Sequence, residues 1–443
     1  MMKRMLLAFV LIVTSTMVMM PAAHAQSDLV EIAVVAVEAS QPALDAWVTA
    51  FQAMQPDASF AITYVATDDD VDAQIAAADM IVTGRYAADP PIEFECGVIS
   101  RAYVLLPEIG ARYLAGEDCG DVVSAKTPVM RDFLQFAVSP DGQQIAIDLG
   151  LLPDVVEVTD QGGVTVAVPQ PVRNIVSAYG VATYYVYSVG AGDRLAAGSY
   201  VGVKGPAAQD AMRRVDPNFD TVFNAVSALS QNEINLEEAA ALDPGLILTS
   251  ARTQWIDSAA ELGVPILRFE GESPDLLKDA MTLVGTALGP DAAYQAAQFN
   301  AYYDATLAKI AAQVATVDAT PRVYFSGTNP LRTASRDMYQ TAMIAAAGGE
   351  SVSAELTGYW NDVNLEQVAL WEPDVIFVPT YGGATVEAIT EADEWQILTA
   401  VQNGAVYQLP TFISPWDTPL PDSILGIIWM AETLYPDQID LNC

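Results

Sequence analysis

The residues best suited to bind a small molecule are arginines and aromatic residues that follow predicted strands. They are Tyr179 after the predicted strand at 173–177, Arg252 and Trp255 after GLILTS, Arg332 and Arg336 after VYFSG, and Tyr381 after DVIFVP. A guanidinium group offers paired donors to carboxylate, catecholate or phosphate oxygens. The arginines therefore predict an anionic ligand. The alternative is that each arginine pairs with one of the many carboxylates of the chain.

Further aromatic residues belong to loops that this pattern places on the same side. They are Tyr359 and Trp360 ahead of the segment NLEQVALW, Trp416 beside Asp417, and Tyr200. Ligands in open α/β sheets sit outside the carboxyl ends of the strands, where such loops meet. Aromatic walls suit a flat or bulky organic chelate, although each ring alone could equally be part of a core.

Histidine and cysteine limit the possible chemistry. His24 is the only histidine, and the three cysteines are Cys96, Cys119 and Cys443. Without an imidazole in the mature chain, Ser-His and Cys-His nucleophiles and the usual zinc sites are excluded. We expect no resident metal or cofactor. In an oxidising compartment Cys96 and Cys119 could form a disulfide.

The first 25 residues are typical of an export signal. Lys3 and Arg4 precede an apolar run, and Ala23-His24-Ala25 is a small-x-small cleavage site. The alternative is an uncleaved membrane anchor. No cysteine stands at the cleavage site, so we do not expect a lipoprotein. The formal net charge of −37 would repel phosphate backbones, which argues against nucleic-acid binding.

An α/β module is expected at 26–160. Its opening alternates strand, helix and strand, and the polar stretch 159–163 suggests a linker. The opening pattern and the run FLQFAVSPDGQQ at 133–144 resemble binding proteins for oxyanions such as molybdate and phosphate. Since about 130 residues are too few for both lobes of that class, we expect an accessory module without its own ligand.

The remainder of the chain contains a repeat. NLEEAAALDPGLIL at 235–248 matches NLEQVALWEPDVIF at 364–377, with Asn, Leu, Glu, Pro and the apolar positions in register. In each copy an N-capping asparagine precedes a helix, and a proline precedes a buried strand. The repeat predicts two α/β lobes of one plan, at 164–290 and 319–443. Between them the alanine-rich segment 290–314 predicts one long helix, within an inter-lobe region at 291–318.

These residues resemble a known family. The runs RNIVSAYG and YSVGAGDRLAAGS at 173–199, both NLE segments, LGVPILRF at 262–269 and NGAVYQLP at 403–410 are similar to binding proteins that deliver ferric siderophores, cobalamin, haem and some oxyanions to ABC importers. The resemblance implies two Rossmann-like lobes bridged by one long helix. It also implies that Glu237 and Glu366, one on each lobe, dock on the permease; alternatively, each only stabilises a helix start.

The resemblance implies an extracytoplasmic receptor, a monomer, that delivers an iron chelate, corrinoid or related anionic ligand to an ABC permease and ATPase. Alternatives are a molybdate or tungstate receptor, a haem receptor that ligates through Tyr179, Tyr359 or Tyr381, and an extracellular sensor. An enzyme would have to use carboxylates such as Asp417 or Asp362, and no paired-carboxylate motif supports that. We therefore expect no enzyme.

Overall fold

The computed structural model describes residues 29–85, 102–113, 125–203 and 205–439. The leader expected at 1–25 and all three cysteines lie outside these residues. Within the described ranges, no helix is long and apolar enough to cross a membrane.

The N-terminal module is a five-stranded mixed sheet with helices packed on it. Its elements are β1 (Val30–Val37), α1 (Gln41–Met54), β2 (Ala58–Val65), α2 (Asp68–Gln74), β3 (Met80–Thr83), β4 (Tyr103–Leu106), β5 (Ile109–Tyr113), α3 (Lys126–Val138) and α4 (Pro140–Asp148). The strand order is β2-β1-β3-β5-β4, with β5 antiparallel to its neighbours. Trp47 and Phe133 are fully buried in its core. Helix α3 ends just before Pro140, as proline geometry predicts.

The stretch suggested as a linker is part of a β-hairpin. Strands β6 (Val155–Thr159) and β7 (Thr165–Pro169) pair antiparallel, and the turn includes Gly163 with φ of +79°. Asp160 in this turn accepts hydrogen bonds from the backbone and guanidinium of Arg268, the latter at 2.7 Å. The turn is therefore fastened to the first lobe.

The first lobe has a four-stranded parallel sheet of order β11-β10-β8-β9. Its elements are β8 (Ile175–Ser177), α5 (Gly180–Ser188), β9 (Leu195–Gly198), α6 (Pro206–Val215), α7 (Phe219–Asn224), α8 (Leu236–Ala240), β10 (Leu246–Ser250), α9 (Ile256–Ala259), β11 (Ile266–Phe269) and α10 (Pro274–Leu288). Helix α11 (Pro290–Val314) then runs to the second lobe, over the range predicted from the sequence.

The second lobe repeats the plan, with parallel order β14-β12-β16-β17. Its elements are β12 (Arg322–Phe325), β13 (Arg332–Ala334), α12 (Tyr339–Ala346), β14 (Glu350–Ser351), β15 (Trp360–Asp362), α13 (Leu365–Trp371), β16 (Val375–Val378), α14 (Val386–Thr390), α15 (Thr399–Gln402), β17 (Val406–Gln408) and α16 (Ser423–Leu434). An antiparallel ribbon of β13 and β15 is added to it.

The two lobes share caps as well as strand order. Asn235 and Asn364 accept hydrogen bonds from the third residue of their helices, Glu238 and Gln367. The residue before each proline, Asp243 or Glu372, has a positive φ near 45°. In the second lobe this left-handed residue is the C-cap that ends α13. The predicted pair of Rossmann-like lobes bridged by one helix is confirmed. One continuous apolar core nevertheless runs through α10, α11, α12 and α16 and joins both sheets.

Candidate ligand cleft

Residues from both lobes meet where the carboxyl ends of the two sheets face each other. Arg252, two residues after β10, lies over the ring of Tyr359, which precedes β15, with 4.1 Å from Cζ to the ring centroid. The Arg252 guanidinium also pairs with the carboxylate of Glu272, which follows β11. The other Glu272 oxygen accepts a hydrogen bond from the backbone N–H of Tyr339 in the second lobe, at 3.2 Å. Glu272 and Arg252 together therefore connect the lobes.

Tyr179 belongs to the same group. Burial raises the pKa of its hydroxyl, and the nearby charge of Glu272 raises it further, whereas Arg252 opposes the shift. The Tyr179 hydroxyl therefore stays protonated at neutral pH and can serve as a hydrogen-bond donor.

A second polar group lies at the carboxyl edge of the second sheet. The Tyr381 hydroxyl, after β16, donates to Asp417 Oδ2 at 2.6 Å, and Gln340 Nε2 donates to the Asp417 carbonyl oxygen at 2.9 Å. Asp417 is fully buried. Burial raises the pKa of its carboxyl group, and the hydrogen bonds from Tyr381 and Gln340 oppose that shift. Burial and the charge of Asp417 also raise the pKa of Tyr381.

The other two arginines of the predicted site have partners of their own. Arg336 donates to the carbonyl oxygens of Glu355 and Leu356, at 2.8 and 3.3 Å, and so fastens the loop that leads to Tyr359. Arg332 Nη1 lies 3.7 Å from Asp362 across the β13–β15 ribbon. Arg252 therefore pairs with a carboxylate, as the alternative interpretation of the sequence allowed. Arg336 instead binds backbone oxygens, and the Nε of Arg332 is buried without a hydrogen-bond partner.

The remaining predicted aromatic residues differ in their surroundings. Trp360 packs against Phe325 and closely approaches Gly327, where an added Cβ would lie 2.7 Å from its ring. Trp255 donates to the Ser230 carbonyl oxygen at 3.3 Å and packs into an apolar cluster of the first lobe. The structure thus gives Trp255 a packing role.

Tyr200 and Trp416 lie on opposite lobes. Tyr200 packs edge-on against Phe219 and hydrogen-bonds the Tyr187 hydroxyl at 2.9 Å, beside a cavity of about 440 Å³. Trp416 is half-buried next to Asp417, and its indole N–H is buried without a partner. The predicted residues therefore fall into two polar groups, around Arg252 and around Asp417, with packing residues at their sides.

Sequence reasoning missed Glu272 and Gln340. Glu272 follows β11 in a short segment, 270–273, that has no arginine or aromatic residue, and acidic residues are too common in this chain to single one out. Gln340 is the second residue of α12, in the first turn of that helix, whose N-cap is Met338. The one signal for Glu272 in the sequence is its position directly after the strand candidate LGVPILRF.

The corresponding edge of the N-terminal module is filled by the protein itself. Asp68 Oδ1 accepts hydrogen bonds from the Thr83 hydroxyl at 2.7 Å and from the Gly84 backbone N–H at 2.9 Å, at the carboxyl end of β3. Arg85 also pairs with Asp68. An anion bound at this point would need the Thr83 hydroxyl and the Gly84 N–H as hydrogen-bond donors. Because both already donate to Asp68, the carboxylate of Asp68 occupies the position of such an anion.

Two observations concern metals and partners. Among the described residues, no group of three or more His, Cys, Asp or Glu side chains is arranged to hold a metal ion.

Glu237 and Glu366 are exposed in the first turns of α8 and α13, at equivalent places on the two lobes. Both carboxylates are therefore accessible to another protein.

The fold and the cleft define a two-lobed solute-binding protein. A family model described as "Periplasmic binding protein" matches residues 175–411, more than half of the chain. The chain belongs to this family, whose members carry ligands and are not enzymes. The expectation that the protein is not an enzyme is confirmed.

Named relatives agree with this assignment. The molybdate-binding protein MolA of Haemophilus influenzae is 26% identical over 236 residues, which cover 48% of this chain and 67% of MolA. A vitamin B12-binding protein of Yersinia pestis is 32% identical over 151 residues, covering 33% of this chain and 52% of the relative. The match thus spans about half the length of the vitamin B12-binding protein.

Solved structures share the fold. Molybdate-bound MolA of Haemophilus influenzae has a TM-score of 0.55 at 20% identity, covering 64% of this chain and 92% of MolA. A periplasmic solute-binding protein of Veillonella parvula has a TM-score of 0.54 at 23% identity, covering 64% of this chain and 87% of its own. Both are similar to this chain in architecture.

Proposed function

We propose that this protein is the exported receptor of an ABC importer, and that it captures an iron chelate or a corrinoid between its lobes. One observation carries the proposal: the cross-lobe contact of Arg252 with Tyr359 at the carboxyl ends of both sheets. Ligands of open α/β sheets bind at this edge. The leader expected at residues 1–25 supports export.

The chemistry of the cleft favours an organic ligand. Tyr179, Tyr359 and Tyr381 supply aromatic surface, and Arg252 is already neutralised by Glu272. A small oxyanion would have to displace the Glu272 carboxylate before it reached the guanidinium. A large chelate can instead lie against the rings and accept hydrogen bonds at its periphery.

Molybdate or tungstate uptake is the second candidate. It is favoured by the relative named as molybdate-binding, which matches 48% of this chain. In that case Arg252 would leave Glu272 when the anion binds. Native mass spectrometry of the protein purified from its own host distinguishes the two candidates, because a ferric chelate or corrinoid differs greatly in mass from an oxyanion.

Delivery to a permease is assigned to Glu237 and Glu366. The two carboxylates are exposed and occupy equivalent positions, so they suit a partner with paired basic sites. Charged residues at the rim of an interface steer association and set its register. We do not expect Glu237 and Glu366 to contribute to ligand affinity.

The test is import through the cognate permease in reconstituted vesicles. We expect the double variant E237Q/E366Q to lose import by at least tenfold while the affinity for the ligand is unchanged. The matched control E261Q/E391Q changes two other exposed glutamates, one on each lobe, and should import normally. Normal import by E237Q/E366Q would refute the docking role.

A further inference from the structure

Unpaired polar atoms are concentrated beside Asp417. Among the described residues, five buried side-chain atoms have no hydrogen-bond partner, and three of them belong to Gln340, Trp416 and Asp417. They are the acceptors Gln340 Oε1 and Asp417 Oδ1 and the donor Trp416 Nε1. A buried polar atom without a partner destabilises the folded protein, so three in one place require an explanation.

The first lobe covers this group. Tyr339, the residue before Gln340, donates its backbone N–H to Glu272 of the first lobe at 3.2 Å. Two residues after Asp417, the Pro419 carbonyl oxygen accepts from the Tyr185 hydroxyl of the first lobe at 2.9 Å. The residues that flank Gln340 and Asp417 therefore lie at the contact between the lobes, where a ligand held between the lobes would meet them.

We propose that Asp417 Oδ1 and Gln340 Oε1 form a subsite for hydrogen-bond donors of the ligand, such as amide N–H or hydroxyl groups. This inference rests on the proposed function and specifies its ligand class. The second oxygen of Asp417 is occupied by Tyr381 at 2.6 Å, which fixes the carboxylate and directs Oδ1 away from that donor. Trp416 Nε1 adds one donor for a ligand carbonyl.

This subsite selects against oxyanions. Molybdate and phosphate-like ions present chiefly acceptor oxygens, which cannot satisfy a carboxylate oxygen or an amide oxygen. A ligand with peripheral carboxamides presents both N–H donors and C=O acceptors. Its N–H groups match Asp417 Oδ1 and Gln340 Oε1, and a C=O group matches Trp416 Nε1. The group therefore favours an amide- or hydroxyl-bearing organic ligand.

The test uses the D417N variant of the full chain. Tyr381 and Gln340 both donate to the Oδ2 side, so the asparagine oxygen should take that position and its NH2 group should replace Oδ1. This change converts one acceptor into a donor with almost no change in volume. The probes are cyanocobalamin, an amide-bearing ferric trihydroxamate and molybdate, each measured by isothermal titration calorimetry.

We expect at least one of the two amide-bearing probes to bind the wild type, and D417N to weaken that binding at least tenfold. Molybdate binding should not weaken in D417N. Q340M removes the second acceptor at similar volume and should weaken the same amide-bearing probe; it carries the test if D417N does not fold. The control is D422N, since Asp422 is a half-buried carboxylate of the same lobe that already accepts from Ser414 at 3.0 Å.

Three results would overturn the donor subsite. They are unchanged affinity for the amide-bearing probe in a folded D417N or Q340M, an equal loss in D422N, and binding of molybdate alone by the wild type. The first would mean that buried water satisfies these atoms. In each case import of a ligand by the wild type through the permease would leave the receptor function standing, whereas the absence of any import by the wild type would refute the receptor function itself.

Discussion

The guanidinium carbon of Arg252, on the first lobe, lies 4.1 Å from the centroid of the Tyr359 ring, on the second lobe. The same guanidinium pairs with Glu272, whose second oxygen accepts from Tyr339 of the second lobe. A flat cation held between a ring and a carboxylate gains from both contacts. Arg252 therefore links the lobes at the carboxyl ends of both sheets.

Replacement of Arg252 should weaken ligand binding. We expect R252A to lower the affinity for the amide-bearing chelate that binds the wild type by more than tenfold, about 1.4 kcal/mol, because it removes the stacking and leaves Glu272 unpaired. Calorimetric titration measures this change. R213A is the control, since Arg213 forms a comparable ion pair with Asp220 on the exposed surface of α6 and α7. Equal affinity in R252A and the wild type would remove Arg252 from the site.

The sequence was sufficient to predict the lobes because their signals are local and repeated. Each lobe carries a capping asparagine, a proline and a buried strand in the same order, and α11 begins and ends as its alanine-rich segment predicts. The polar stretch 159–163 suggests a linker, but it lies in the turn of a hairpin. The segments VVEVT and TVAVP on either side of it alternate between residue types from one position to the next, as paired strands do. Polar composition alone did not distinguish a hairpin turn from a linker.

The cleft was less predictable because its arrangement depends on long-range contacts. Topology correctly placed Arg252 and Tyr359 on loops at the carboxyl edges, but no pattern in the sequence indicates that Glu272 pairs with Arg252. Trp255 satisfies the same positional rule, yet its ring packs into the first lobe and its indole N–H reaches Ser230. The rule identifies which loop a residue belongs to, whereas side-chain direction depends on neighbours far away in the chain.

Arg194 should hold the N-terminal module on the receptor lobes. It is only 7% exposed and donates to the carbonyl oxygens of Leu288, before α11, and Val138, at the end of α3, at 2.8 and 3.0 Å. R194A removes two hydrogen bonds from a buried charged group, although Gln143 Nε2 still reaches both carbonyl oxygens at 3.2 Å. We therefore expect the free energy of unfolding to fall by about 2 kcal/mol. Urea denaturation measures it.

The control for R194A is R173A at the same boundary. Arg173 pairs with Asp141 of the module at 2.6 Å, but both side chains are at least half exposed. Exposed pairs contribute about 0–1 kcal/mol, so R173A should be nearly as stable as the wild type. A loss in R194A no larger than that in R173A would contradict the structural role of Arg194.

Asp417 should make stability depend on pH. Burial raises the pKa of its carboxyl group, so the folded state binds the proton more tightly than the unfolded state. The stabilisation is complete below the ordinary aspartate pKa and is lost as the pH rises through the raised value. We expect the stability of the wild type relative to D417N to decline across this window in urea denaturation at stepped pH. Parallel curves for the two proteins would contradict the assignment.

Gly285 should be required for the close packing of α10 on α11. A Cβ at this position would lie 2.8 Å from the Ala292 carbonyl oxygen and 2.8 Å from the Ala296 Cβ. Because the neighbours are backbone and short side chains, relief requires the two helices to move apart. We expect G285A to lower the free energy of unfolding by about 1–3 kcal/mol, measured by urea denaturation. G245A is the control, since its Cβ would meet nothing closer than 3.8 Å; equal stability of the two variants would show that the helices adjust without cost.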